Sequence, residues 1–177
     1  EDTLRALGQL AGWYREKFPI PVVQITGSAG KTTTKEMIAA IMTRRGDVLK
    51  TEGNFNNLIG LPLTLFRLRP GDMAAVLELG TNTPGEIARL ARMALPDIGL
   101  ITNIGLAHLA GFTDLAGVAA EKRDLFRELS AAGTMIVNKD DPFLRDAGRD
   151  WQGGVVTFGL HAAANVYADG IVPVLVS

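Results

Sequence analysis

The sequence predicts an α/β domain of the three-layer, phosphate-loop type, with a mostly parallel central sheet. Short strands that are apolar throughout alternate with helical segments, as a sheet covered on both faces requires. A glycine-rich turn separates the first of these strands from the helix after it. Of the 177 residues, 47% are hydrophobic, enough for the core of one ordinary domain.

Leu4, Leu7, Leu10, Ala11 and Tyr14 recur at helical spacing, so residues 2–17 read as an amphipathic helix, broken by Pro19 and Pro21. Val22–Thr26 is a strand, and a helix runs from about Thr32 to Arg45. Ala74–Leu79 is the next strand. Gly85–Ala94 is a helix with Pro84 near its start. Ile98–Thr102 is a strand, and Asp114–Leu129 a long helix with Asp114 as its N-cap. Met135–Asn138 is a strand, Asp141–Ala147 a short helix with Pro142 at its first position, and Val155–Gly159 a further strand. Residues 160–177 read as a short extra β segment, one or two strands with no helix between them.

The formal net charge of -1 gives no reason to expect a nucleic-acid or anionic-membrane partner. The absence of cysteine excludes disulfides, thiolate metal sites and a thiol nucleophile. Residues 1–17 carry charges throughout, unlike a secretory signal. The longest apolar stretch, Ile98 to Phe112, is interrupted by Asn103 and His108 and is too short to span a bilayer. A cytoplasmic, monomeric protein with no membrane insertion is expected.

The strongest motif is Thr26-Gly27-Ser28-Ala29-Gly30-Lys31-Thr32-Thr33, between a strand and a helix. Glycines let the backbone curl so that several N–H groups face one phosphate, and the helix N-terminus adds partial positive charge. Lys31 can then reach the β- and γ-phosphates, and the Thr32 hydroxyl can bind Mg²⁺. The motif departs from the general pattern, with Ile25 where the first glycine is expected and the glycine itself at Gly27.

Ligands of open α/β sheets sit at the carboxyl ends of the strands. Glu78 lies near the end of AAVLEL, and Asn103 and His108 follow IGLIT. A carboxylate on an apolar strand needs a cation, which an arginine or Mg²⁺ can supply. The residues alone leave both open. His108 alone reads as a hydrogen-bonded loop histidine, and Lys122, in AAEKRDLF, as a solvated surface charge.

Taken together, ITGSAGKTTTKEM, TEGNFNNLIGLPLTL, LELGTNTPGEI, ITNIGLAHLAGF, AGVAAEKRDLF and VNKDD resemble the Mur ligase family, in family order and across residues 3–141. GNFNN-x-IG-x-P and ELGTN-x-x-GEI are most similar to the members that add D-alanyl-D-alanine to UDP-N-acetylmuramoyl-tripeptide. The resemblance implies a bacterial cytoplasmic enzyme that binds ATP with two Mg²⁺ ions. Gly27, Ser28, Ala29, Gly30, Lys31, Thr32 and Thr33 would hold the ATP phosphates. Thr32 and Glu78 would bind one Mg²⁺. His108 and Lys122 would bind the second, with Lys122 carbamylated. Asn138 would contact the adenine, and Asn54, Asn56 and Asn57 would face the muramoyl-peptide. Lys31, Lys122 and His108 would act in catalysis, which forms an acyl phosphate and then an amide.

The resemblance further implies that these 177 residues are the family's central domain, truncated at its C-terminal end. The UDP-sugar-binding and C-terminal domains would lie outside them, so the isolated chain is expected to be inactive as a ligase. Two rivals remain at this point. A folylpolyglutamate synthase-like ligase would share the ATP chemistry, although GNFNN argues against it. A non-catalytic nucleotide switch would carry N-K-x-D, which Asn138-Lys139-Asp140-Asp141 only approximates.

Overall fold

A computed structural model describes residues 2–105, 112, 114–161 and 163–170. The chain opens with α1 (Thr3–Arg15), capped by the Asp2 carboxylate on the Arg5 N–H. β1 (Val22–Thr26), α2 (Lys31–Met42), β2 (Val48–Lys50), α3 (Gly60–Leu65) and β3 (Ala74–Glu78) follow. Then come α4 (Glu86–Ala94), β4 (Ile98–Ile101), α5 (Leu115–Arg127), β5 (Thr134–Asn138), β6 (Gly154–Gly159) and β7 (Val166–Tyr167).

Among the described residues the strands form one seven-stranded sheet in the order β2-β3-β1-β4-β5-β6-β7, with each of these pairings parallel. From β1 the chain passes to β2, returns to β3 between the two, and then crosses to β4 on the other side of β1. The ends of β1, β3 and β4 therefore flank the point where strand order reverses, which in open sheets is where a ligand crevice forms. All five residues of β1 and of β3 are buried, which accounts for their lack of polar alternation.

Residues of alternating parity serve the two faces. Val22, Ala75, Leu77, Ile101 and Val137 join the larger core beneath α1, α3, α4 and α5. Val23, Ile25, Val76 and Leu100 join the smaller one, covered by Ile38, Ala39 and Met42 of α2. Each fully buried leucine, such as Leu77 or Leu90, contributes about 1.5–3 kcal/mol relative to exposure. Arg15, at the end of α1, donates to the carbonyls of Ala94, Phe18 and Ile20, locking α1 to the end of α4.

Most expected elements agree with the structure within a few residues, and Asp114 caps α5 by accepting from the Gly117 N–H. Two points differ. β2 and α3 were not expected: β2 is three residues long, and α3 is six residues with Pro62 inside it, too short for either periodicity to register. Residues 141–147 form successive turns rather than a helix. The Asp141 carboxylate accepts from the Phe143 N–H at 2.8 Å, as a helix cap would, but a single i→i+4 bond follows, Arg145 N–H to Asp141 O, and the Ala147 N–H already turns back to Leu144 O. The expected extra β segment is present as β7, which pairs with β6; residues 171–177 lie outside the described residues.

Candidate nucleotide site

β1 delivers the chain to Gly27, whose φ of 147° places a hypothetical Cβ 1.8 Å from Thr102 Oγ1. Only glycine fits there, which accounts for the displaced first glycine of the motif: the strand runs through Thr26 and turns against β4. Segment 102–105 then clamps the loop. Ser28 N–H donates to Asn103 O, Ala29 N–H to Asn103 Oδ1, and Thr102 Oγ1 to Ala29 O. Ser28 Oγ and Gly105 exchange two bonds. Gly30, at φ 78°, starts α2 without any side-chain cap, so the first N–H groups of the helix face the crevice as an anion site. Lys31 Nζ donates to Gly27 O at 2.9 Å, folded over the loop it would serve.

Glu78 ends β3, paired with Ile25 of β1, and is 2% exposed. Its Oε2 accepts from Thr32 Oγ1 at 2.8 Å and its Oε1 from Asn56 Nδ2 at 2.9 Å. Of the two readings left open for this carboxylate, no arginine pairs with it among the described residues. Two ligand oxygens on adjacent corners of an octahedral Mg²⁺ sit about 3 Å apart, given Mg–O distances near 2.0–2.1 Å. The Thr32–Glu78 pair fits that spacing. No group of three or more His, Cys, Asp or Glu forms a metal site among the described residues. Mg²⁺ beside a nucleotide takes one or two carboxylates and completes its shell with phosphate and water.

These residues open on a cavity of about 520 Å³, lined also by Asn57, Thr81, Asn82 and Glu86. Thr81, Asn82 and Glu86 carried no sequence-level assignment, although they lie within LELGTNTPGEI. Two carboxylates hold this loop. Glu86 Oε2 accepts from the N–H groups of Asn82 and Thr83, and the buried Glu121 reaches over from α5 to Gly85, Ile87 and Thr81.

Lys122, taken alone as a surface charge, is instead only 2% exposed. Burial lowers its pKa from 10.5 to about 8, assisted by the nearby Lys31 ammonium and opposed by Glu121. The unfolded chain thus binds more protons than the folded one between about pH 8 and 10.5, so stability rises with pH across that window. Lys122→Met is expected to abolish this rise, as read by urea denaturation at pH 7.5 and 9.5; an equal gain in both proteins would contradict the burial argument.

The other expected residues are placed as follows. Asn57 Oδ1 accepts from the N–H groups of Ile59 and Gly60, starting α3. Asn56 turns to Glu78, and exposed Asn54 lies outside the cavity lining. Asn138 Nδ2 donates to Thr102 O, tying the end of β5 to that of β4. His108 lies outside the described residues. Asp140 accepts from Leu160 N–H and Asp141 from Ile104 N–H. Both carboxylates of the approximate N-K-x-D are therefore committed to backbone, which weakens the switch reading.

The family described as Mur ligase middle domain matches residues 25–174. A UDP-N-acetylmuramoyl-tripeptide--D-alanyl-D-alanine ligase of Synechocystis is 44% identical over 161 residues, covering 90% of this chain and 36% of that protein. The Escherichia coli protein of the same description is 48% identical over 141 residues, covering 80% and 31%. The crystal structure of the MurF ligase of Thermotoga maritima in complex with ADP superposes with a TM-score of 0.85 at 33% identity, over 92% of this chain and 38% of that one. The chain thus spans about a third of the length of the curated relatives it matches.

Proposed function

The chain belongs to the Mur ligase family, and from that premise we propose that it carries the ATP and Mg²⁺ site of a ligase joining D-alanyl-D-alanine to UDP-N-acetylmuramoyl-tripeptide. The observation that carries the reading is the convergence of Thr32 and Glu78, 2.8 Å apart, at the mouth of the phosphate loop. The similarity to ligases of that description supports the choice of substrates, and the solved relative with ADP supports the nucleotide.

In this reading, residues Gly27 to Thr33 wrap the phosphates of ATP with their N–H groups. Lys31 leaves the Gly27 carbonyl for the β- and γ-phosphates. Thr32 and Glu78 hold one Mg²⁺, and Lys122 with His108 a second. Bound there, the ions would neutralise charge as two anions approach. The tripeptide carboxylate attacks the γ-phosphorus, the bond to ADP breaks, and an acyl phosphate forms. The dipeptide amine then attacks the acyl carbon and inorganic phosphate leaves, giving the amide. Asn138 contacts the adenine, and the loop of Asn54, Asn56 and Asn57 faces the peptide. Domains beyond this one complete the substrate sites, so the isolated chain binds nucleotide without ligating.

Lys122 takes up CO₂ in this scheme. The neutral amine forms an N–C bond, releases one proton and becomes an anionic carbamate able to bind a cation. A pKa of about 8 supplies more neutral amine near neutral pH than an exposed lysine does.

The test is calorimetric titration of Mg²⁺-ATP and Mg²⁺-GTP into this chain and into Lys31→Ala. ATP is expected to bind in preference to GTP, and Lys31→Ala to weaken ATP by about 10- to 100-fold, the loss of one charge-assisted contact of 1.5–3 kcal/mol. Equal affinity in both proteins would remove Lys31 from the phosphate site. Preference for GTP would favour a switch over a ligase.

A further inference from the structure

Lys35 is one of the largest fully buried side chains, at 1% exposure, yet it lies on α2 one turn beyond Thr32 and has no part in the scheme above. A buried ammonium needs partners. Nζ donates to Thr51 O at 2.6 Å and lies 2.9 Å from Glu36 Oε1. Thr51, fully buried just after β2, is joined to β3 twice: its N–H donates to Val76 O, and its hydroxyl accepts from the Glu78 N–H at 2.9 Å. Thr51 also begins the loop that brings Asn56 onto Glu78 Oε1. Helix α2 therefore grips the surroundings of Glu78 at two levels, directly through Thr32 and indirectly through Lys35 and Thr51.

We propose that Lys35 is a positioning residue for the metal-binding carboxylate: by pinning Thr51 it fixes the main chain of Glu78 and the approach of Asn56, so that Glu78 and Thr32 meet a cation with the right spacing. This rests on the reading of Glu78 as a Mg²⁺ ligand. Lys35→Met is a usable probe, since the replacement is apolar and of similar length. Its loss does not strand Glu36, which is half exposed and keeps Lys50 as partner.

ADP affinity is measured in EDTA and in Mg²⁺ for the unaltered chain, Lys35→Met and Glu78→Gln. Lys35→Met is expected to leave metal-free affinity within about twofold and to cut the gain from Mg²⁺ about tenfold, the lower end for residues that orient a metal ligand. A general loosening of the fold would weaken both affinities together, and that result overturns the proposal. So does a full Mg²⁺ gain in Lys35→Met when Glu78→Gln has lost it, an outcome that leaves the metal site itself standing. If Glu78→Gln also keeps the gain, the metal-site reading fails and the proposal with it. Should Lys35→Met not fold, Thr51→Val, which removes the hydroxyl at constant size, is expected to give the same selective loss. Hydrogen exchange without ligand tests the anchor separately. Amides of residues 51–57 exchange faster in Lys35→Met while those of α5 do not, and unchanged exchange refutes the pinning.

Discussion

Gly27→Ala is expected to eliminate detectable Mg²⁺-ATP binding and to cost the fold on the order of 3 kcal/mol, combining a strained backbone with an overpacked site. The added methyl would lie 1.8 Å from Thr102 Oγ1. That oxygen cannot step aside freely, because it donates to Ala29 O at 2.6 Å and so holds the phosphate loop itself. Gly30→Ala makes the contrast. Its φ of 78° is also left-handed, but a methyl there meets nothing within 4 Å. That variant pays only the backbone term of about 1–2 kcal/mol and retains part of its ATP affinity. Titration calorimetry and urea denaturation of both variants check the pair. Equal losses would mean that the Thr102 contact does not shape the loop.

The difference between these two glycines shows what a sequence can and cannot disclose here. The motif and its strand–helix context were legible because phosphate binding demands glycines at fixed places. That Gly27 presses on Thr102 was not, since the two are brought together only by the β1–β4 pairing. Apolar strands and capped helices declared themselves through local chemistry. β2 and α3 did not, being held by packing rather than by pattern. The 141–147 segment has the cap and the proline of a helix start, but its backbone bonds lapse into three-residue turns after Arg145, which no local signal in the sequence marks. At the site, Glu78 stood out as a carboxylate on an apolar strand. The burial of Lys122 could not be seen from AAEKRDLF, where it is flanked by two further charges. Only the family resemblance singled it out, and the fold supplies the physical reason. Lys35 and Thr51 left no signal, because a lysine in an amphipathic helix reads as solvated until the sheet is laid beneath it.

Glu121→Ala is expected to destabilise the chain by about 2–4 kcal/mol, chiefly the cost of leaving the buried Ile87 N–H without an acceptor, with a smaller share from the half-buried Gly85 N–H. Glu121 Oε2 accepts from Gly85 N–H at 2.6 Å and Oε1 from Ile87 N–H at 2.8 Å. It thereby caps α4 from a helix that is 34 residues distant from Ile87 in sequence. Thr81 also loses an acceptor but retains Thr83 O, so its share is small. Glu121→Gln keeps an oxygen for one N–H and turns an amide donor toward the other, and about half the loss follows. The glutamine variant also isolates a second consequence. Glu121 raises the pKa of Lys122, against burial and the Lys31 charge. Its neutralisation is expected to move Lys122 further below about pH 8. If Lys122 takes up CO₂ as proposed, its carbamate signal in ¹³C-bicarbonate should then emerge at lower pH in Glu121→Gln than in the unaltered chain, even though the variant is less stable. An unchanged onset would mean that Glu121 serves the architecture of the loop alone. A shifted one would mean that a single carboxylate both shapes the wall of the candidate nucleotide cavity and holds the neighbouring lysine closer to its charged form.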